Sequence, residues 1–228
     1  DYGQIGNGSA STTTYSTPLQ VGTVTTWSDI ASGQYHTCAT RTNGTLWCWG
    51  RNNYYQLGDG TVTTRTTPVQ VGAAHSWSRV SVGQYHGCGV LADGTLRCWG
   101  NNGSGRLGDG TTTNRTTSVA IEPTSTWSDI SLGYTYSCGI KSDGSLWCWG
   151  VNTYGQLGVG DLTSRNRPTR VGADNDWVEV TSGQYHTCGL KADGRLYCWG
   201  RNLYGGVGTT DKCADATIYC QLNPVVVQ

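Results

Sequence analysis

Ten cysteines carry the most informative spacing in the chain. They fall into five local pairs: Cys38 with Cys48, Cys88 with Cys98, Cys138 with Cys148, Cys188 with Cys198, and Cys213 with Cys220. Thiols so placed can be oxidised to disulfides or can ligate a metal. Cysteine-based metal sites commonly use C-x-x-C spacing, which is absent here, so the pairs are read as disulfides. In the first four pairs the midpoint is Asn43, Asp93, Asp143 or Asp193, each followed by glycine. A tight hairpin centred there would set the two cysteines opposite one another across neighbouring strands. Disulfides persist in oxidising compartments, which predicts a secreted or cell-surface protein.

The remaining reactive side chains point away from catalysis. His36, His86 and His186 share one recurring position, with Tyr136 as its fourth occupant. A ring of imidazoles could hold a metal, whereas the tyrosine favours a structural role in which each ring holds a strand start through a backbone hydrogen bond. His75 falls outside the pattern and is read as a solvated loop residue. Asp59 and Asp109 give way to Asn7, Val159 and Thr209 at equivalent positions, and Asp93, Asp143 and Asp193 are expected to supply the positive φ of a turn. An acid and base pair needs a specific asymmetric setting, which repeated equivalents do not provide. No Ser-His-Asp or Cys-His set stands out, so neither catalysis nor a cofactor is expected.

Aromatic residues are better candidates for binding. Trp49, Trp99, Trp149 and Trp199 recur without change and are read as core. Two residues earlier the position varies as Trp47, Arg97, Trp147 and Tyr197, which predicts a surface site able to stack on sugar rings or pack on a partner protein. The competing reading is an aromatic covering the edge of its own sheet. Asn7, Asn102 and Asn114 lie in N-x-S/T acceptors for glycosylation, while the acceptor at Asn43 is taken as a chance occurrence in a turn.

These positions are organised by a repeat. Trp27, Trp77, Trp127 and Trp177 are 50 residues apart, dividing one domain into units 27–76, 77–126, 127–176 and 177–228 behind a partial unit, 1–26. The first unit contains four short apolar stretches, at 27–30, 36–40, 45–49 and 68–71. The second and third flank Asn43 and Gly44, a dipeptide favoured in type I′ hairpins. Glycine, 34 of 228 residues, interrupts every run that might be helical. Four strands per unit of this length predict the blade of a β-propeller, giving an all-β fold of four full units and one partial unit. Zero net charge with only 13% charged residues argues against nucleic acid as a partner. No run approaches the ~18 apolar residues of a membrane span. Asp1 opens the chain and methionine is absent, as expected of a processed chain or a segment of a longer one.

The order Trp149, Gly150, Asn152, then Gly155, Gln156, Leu157 and Gly158, then Pro168, returning from Tyr2 to Val227, resembles the repeat of the regulator of chromosome condensation family. That resemblance implies a propeller, commonly of seven blades, used as a rigid binding surface by members ranging from a nuclear exchange factor to secreted β-lactamase inhibitors. Four full units, balanced charge and paired cysteines set this chain apart and argue against nuclear exchange activity.

The ends suggest a use for the scaffold. Pro18, Leu19 and Val21 match Pro168, Thr169 and Val171, and the motif returns as Pro224, Val225, Val226 and Val227. Counting it five times predicts seventeen strands, one too many for four blades, and a surplus strand leaves an edge that another chain can cover. The reading is therefore a non-catalytic extracellular structural or adhesive subunit, paired head-to-tail with copies of itself through these terminal residues. The alternative is a soluble lectin or protein inhibitor whose partner is a glycan or cell-surface protein.

Overall fold

A computed structural model of the chain describes residues 2–203, 207 and 220–227. Among these residues there are sixteen strands and no helix. Blade 1 comprises β1 (Trp27–Ser32), β2 (His36–Arg41), β3 (Leu46–Gly50) and β4 (Arg65–Val71). Blade 2 comprises β5 (Trp77–Val82), β6 (His86–Leu91), β7 (Leu96–Gly100) and β8 (Arg115–Ile121). Blade 3 comprises β9 (Trp127–Leu132), β10 (Tyr136–Lys141), β11 (Leu146–Gly150) and β12 (Arg165–Arg170). Blade 4 comprises β13 (Trp177–Ser182), β14 (His186–Lys191), β15 (Leu196–Arg201) and β16 (Cys220–Val226). Each blade is an antiparallel meander in chain order, so the fold is an all-β propeller of four blades.

The central hairpin is closed differently from the expected type I′ turn. That turn needs positive φ at both central residues, but only Gly44 has it, at 77°. Gly44 N–H donates to the Arg41 carbonyl and Arg41 N–H to the Thr45 carbonyl, which describes a type I turn followed by a left-handed glycine. Asn43 accepts the Thr45 N–H, and Asp93, Asp143 and Asp193 accept the corresponding N–H groups of Thr95, Ser145 and Arg195. These residues brace the turn through their side chains instead of adopting positive φ. The resulting register sets Cys38 opposite Cys48, Cys88 opposite Cys98, Cys138 opposite Cys148 and Cys188 opposite Cys198. All four pairs are disulfide-bonded, with Cα atoms 4.1 Å apart. Cys220 is disulfide-bonded too, and its expected partner Cys213 lies outside the described residues.

Strand alternation sorts the side chains onto two blade faces. The back face of blade 1, with Cys38, Leu46 and Cys48, packs with Leu57 on Trp77, Val80, Val82 and Trp99 of blade 2. Equivalent cores join blade 2 to blade 3 and blade 3 to blade 4. The outer faces of the end blades lack this cover. Ile30 on blade 1 is 67% exposed while its counterparts Val80, Ile130 and Val180 are buried, and Leu196 on blade 4 is 42% exposed while Leu46, Leu96 and Leu146 are buried.

The N-terminal segment does not supply a seventeenth strand among the described residues. Pro18, Leu19 and Val21 lie outside any strand, while Pro224, Val225 and Val226 belong to β16 and pair with β15 of their own blade. Residues 2–8 instead dock on blade 1, with the Gln4 carbonyl accepting from Trp49 Nε1 and Thr37 Oγ1, and Gly8 N–H donating to Thr66. Residues 54–60 dock on blade 2 in the same way, through Trp99 Nε1 to the Gln56 carbonyl and Gly60 N–H to Thr116. The bonds that hold this segment on blade 1 come from residues 2–8, so it docks without adding a strand.

Candidate binding surface

The loop after the third strand of each blade is built around a buried asparagine. Asn52 Oδ1 accepts the Leu57 N–H (3.0 Å), and its amide donates to Asp59 Oδ1 (2.9 Å) and the Thr61 carbonyl (3.0 Å). Arg65 completes the clasp by donating to Asp59 Oδ2 at 2.9 Å. Burial works to raise the Asp59 pKa, but bonds from Thr61, Arg65 and Asn52 outweigh it and hold the carboxyl below its usual range. Asn102, Asp109 and Arg115 repeat the arrangement, and Asp161 serves Arg165 in the third unit. These carboxylates are consumed in holding loops.

The loops so held carry tyrosines to the end of the propeller opposite the hairpin turns. Tyr54 of blade 1 meets Tyr85 of blade 2 with ring centroids 4.8 Å apart, and Tyr154 of blade 3 meets Tyr185 of blade 4 at 5.1 Å. Tyr2 meets Tyr35 in the same relation at 5.4 Å. Arg51 lies among Tyr2, Tyr35, Tyr54 and Tyr85, its guanidinium carbon 4.8–5.7 Å from the ring centroids, and Arg201 lies beside Tyr154 and Tyr185. Neither arginine has a carboxylate partner among the described residues. Gln34, Gln84, Tyr134 and Gln184 surround a central opening at the same end. Gln84 Nε2 donates there to Gln34 Oε1 at 3.0 Å and also contacts the Tyr134 hydroxyl.

The varying position two residues before the core tryptophan is not brought together into one site. Trp47 lies under Arg41, 3.9 Å from guanidinium carbon to ring centroid, and Trp147 lies under Lys141 at 3.8 Å. Tyr197 packs edge-on against Trp177, while Arg97 donates to Ser118. Each side chain is half-buried and engaged within its own blade. His36 and His86 are fully buried between blades, with His86 Nε2 3.1 Å from Ser137 Oγ. Tyr136, their counterpart, reaches the next blade by donating to the His186 carbonyl at 2.5 Å. Among the described residues no group of three His, Cys, Asp or Glu side chains could hold a metal ion.

Asn102 cannot serve as a glycosylation site in the folded chain, because its side chain is fully buried and its amide nitrogen donates to Asp109 and Thr111. Asn7 is exposed and Asn114 half-buried. The tyrosine surface was missed at the sequence level although Tyr35, Tyr85 and Tyr185 recur at one position. Their partners Tyr2, Tyr54 and Tyr154 belong to the preceding unit and meet them only when blades stack.

Sequence comparison agrees with this architecture. One profile of the regulator of chromosome condensation (RCC1) repeat matches residues 43–90 and 143–190, and a second matches 27–56, 77–106, 127–156 and 177–205, more than half of the chain. The chain belongs to the RCC1 repeat family. Similar folds occur in human WBSCR16, which is 21% identical with a TM-score of 0.85, covering all of this chain and 60% of that one. Yeast RCC1 (Prp20), solved bound to Kap60, is 20% identical with a TM-score of 0.72, covering 85% of this chain and 48% of that one. The ectodomain of the Physcomitrella patens receptor kinase CR4 is 23% identical with a TM-score of 0.51, covering 81% of this chain and 44% of that one. The chain thus spans less than two thirds of the length of these structures. No curated protein sequence matches it significantly. Its four disulfides suit the chain to an oxidising environment.

Proposed function

We propose that this RCC1 repeat chain is a non-catalytic binding scaffold of the cell exterior that grips a protein partner with its tyrosine and arginine end. The supporting observation is the run of tyrosine pairs enclosing Arg51 and Arg201. Tyrosine and arginine are enriched in binding hot spots, tyrosine because it presents large, stiff, amphipathic area at low entropic cost and arginine because its planar guanidinium both stacks and donates paired hydrogen bonds. Capture of extracellular proteins by the immobilised chain tests this, comparing a Tyr54→Ala, Tyr154→Ala variant with a Trp47→Ala, Trp147→Ala variant. The first should lose the partner and the second keep it. Equal capture by both, or glycan-array binding that depends on Trp47, would replace this reading with another surface or a lectin.

A second reading, head-to-tail self-assembly of a structural or adhesive subunit, is favoured by the exposed outer faces of blades 1 and 4. The face holding Trp27, Ile30 and Ala39 has the form of those that Trp77 and Val80 present to blade 1, and Leu196 occupies the place of Leu46. A second copy could therefore seat its blade 4 on this face by the packing used inside the chain. Light scattering should then report oligomers that Ile30→Lys disperses. A wild-type chain that stays monomeric at high concentration removes the reading.

A further inference from the structure

Three junctions at the tyrosine end are filled by tyrosine pairs, and one is not. Between blades 2 and 3 the corresponding residues are Ser104 and Thr135, so two rings are missing where Tyr54 and Tyr85 or Tyr154 and Tyr185 meet elsewhere. The next difference lies in the same loop. Gln4, Gln56 and Gln156 turn back so that Oε1 accepts the N–H of Tyr2, Tyr54 and Tyr154, at 3.1, 2.8 and 2.9 Å. Their counterpart is Arg106, a side chain with donors only.

Arg106 is 7% exposed, its Nε has no hydrogen-bond partner, and no carboxylate pairs with it among the described residues. Burial pushes its pKa down to about 10, with Tyr85 opposing, so the guanidinium remains charged at neutral pH. The neighbouring His86 is held neutral by its burial and by repulsion from Arg106, so it adds no second positive charge. Trp149 at this junction also differs. Trp49, Trp99 and Trp199 donate Nε1 to the loop carbonyls of Gln4, Gln56 and Gln156, whereas Trp149 Nε1 is buried without a partner, although the Arg106 carbonyl keeps the hydroxyl bond from Ser137 Oγ (2.8 Å) that the Gln4 and Gln156 carbonyls receive from Thr37 and Thr187. A buried cation without a counter-charge is unfavourable, and this one replaces a neutral residue that serves the other junctions.

We propose that the junction of blades 2 and 3 is a carboxylate-binding notch, entered between Ser104 and Thr135, in which Arg106 pairs with an acidic group of the partner. A carboxylate matches the planar guanidinium through paired hydrogen bonds and supplies the missing charge. The inference rests on the reading of this end as a binding surface and names one chemical requirement of its ligand.

Arg106→Gln tests it with a residue that the same loop position already accommodates at Gln56 and Gln156. Thermal unfolding is followed in succinate and in chloride at matched ionic strength, with inorganic phosphate as a third arm. Wild type should melt about 3 °C higher in ~100 mM succinate, the shift expected for binding in the ~10 mM range. Arg106→Gln should show no such shift and should melt higher than wild type in chloride, because the unpaired charge is gone. The Arg106 Nε–H resonance should also move on titration with succinate. Equal succinate responses in the two chains, or no response in wild type, overturns the notch, and stabilisation by phosphate alone overturns its carboxylate specificity. These readouts need no protein partner, so their failure is distinct from failure of the capture experiment.

Discussion

Acidification should weaken the blade stack through His36 before it touches the carboxylates. The His36 ring is fully buried at the contact of blades 1 and 2, with both nitrogens lacking a well-formed hydrogen bond. Burial lowers its pKa to about 4, opposed by the backbone of His86, whereas an unfolded chain restores the ordinary 6.5. Between these values the unfolded state binds more protons, so unfolding free energy rises with pH across the window and is lost as pH falls through it. A shift of 2.5 units corresponds to about 3.4 kcal/mol when fully expressed, and to roughly 2.4 kcal/mol between pH 7 and 4.5. His86 is depressed by burial as well and adds in the same direction. Urea unfolding at several pH values measures the loss. The control is His36→Tyr, since Tyr136 shows that a phenol is accommodated at this position and can reach the next blade. The variant should lose less stability than wild type over this range. Parallel pH profiles, or a His36 ring that titrates near 6.5 by NMR in the folded chain, would refute the argument.

Other perturbations test other links. Replacing Cys138 and Cys148 by alanine should cost about 2.8 kcal/mol through the loop that the bond closes, more if the buried gap fails to relax, as read by urea unfolding. Under limiting reductant, the Cys188–Cys198 bond should open before the bonds of blades 1 to 3, because Cys188 is partly exposed while their cysteines are fully buried; mass mapping of alkylated thiols reports the order. Gly108→Ala should cost at least ~2 kcal/mol in the same unfolding assay, because Gly108 has a φ of 80° and a β-carbon would lie 2.7 Å from Trp149 Nε1. Asn52→Ala should cost about 1–3 kcal/mol by leaving the Leu57 N–H without its buried acceptor.

Much of the architecture was legible because each unit repeats the same local instructions. The cysteine spacing located the hairpin and its register, and the recurring Trp49-type residue marked a buried strand. The turn type was not legible, since Asn-Gly serves both a type I′ turn and a type I turn with a following left-handed glycine. The terminal motif misled for a related reason. Pro18, Leu19 and Val21 have strand composition, but pairing requires a partner edge, and the docking bonds here come from residues 2–8 through the Gln4 carbonyl. Asn102 likewise has an acceptor pattern that carries no information about burial. The binding surface was the least legible part, because Tyr54 and Tyr85 are brought together by blade stacking and no spacing within one unit encodes it.

A repeat chain supplies its own comparison for deciding which departures carry function. Where packing alone sets a residue, neighbouring units show the same choice, as Leu57, Leu107 and Leu157 do. Where a unit departs and the packing partners adjust, the departure is structural, as when Tyr136 replaces histidine and its hydroxyl takes the next blade's carbonyl. Arg106 belongs to neither group. It replaces a glutamine that satisfied the loop, it lacks a counter-charge, and the two tyrosine positions at its junction change to small residues with it. Three coupled departures at one junction, each of which removes an interaction retained by the others, are difficult to explain by stability. They are what a ligand supplying both volume and negative charge would require.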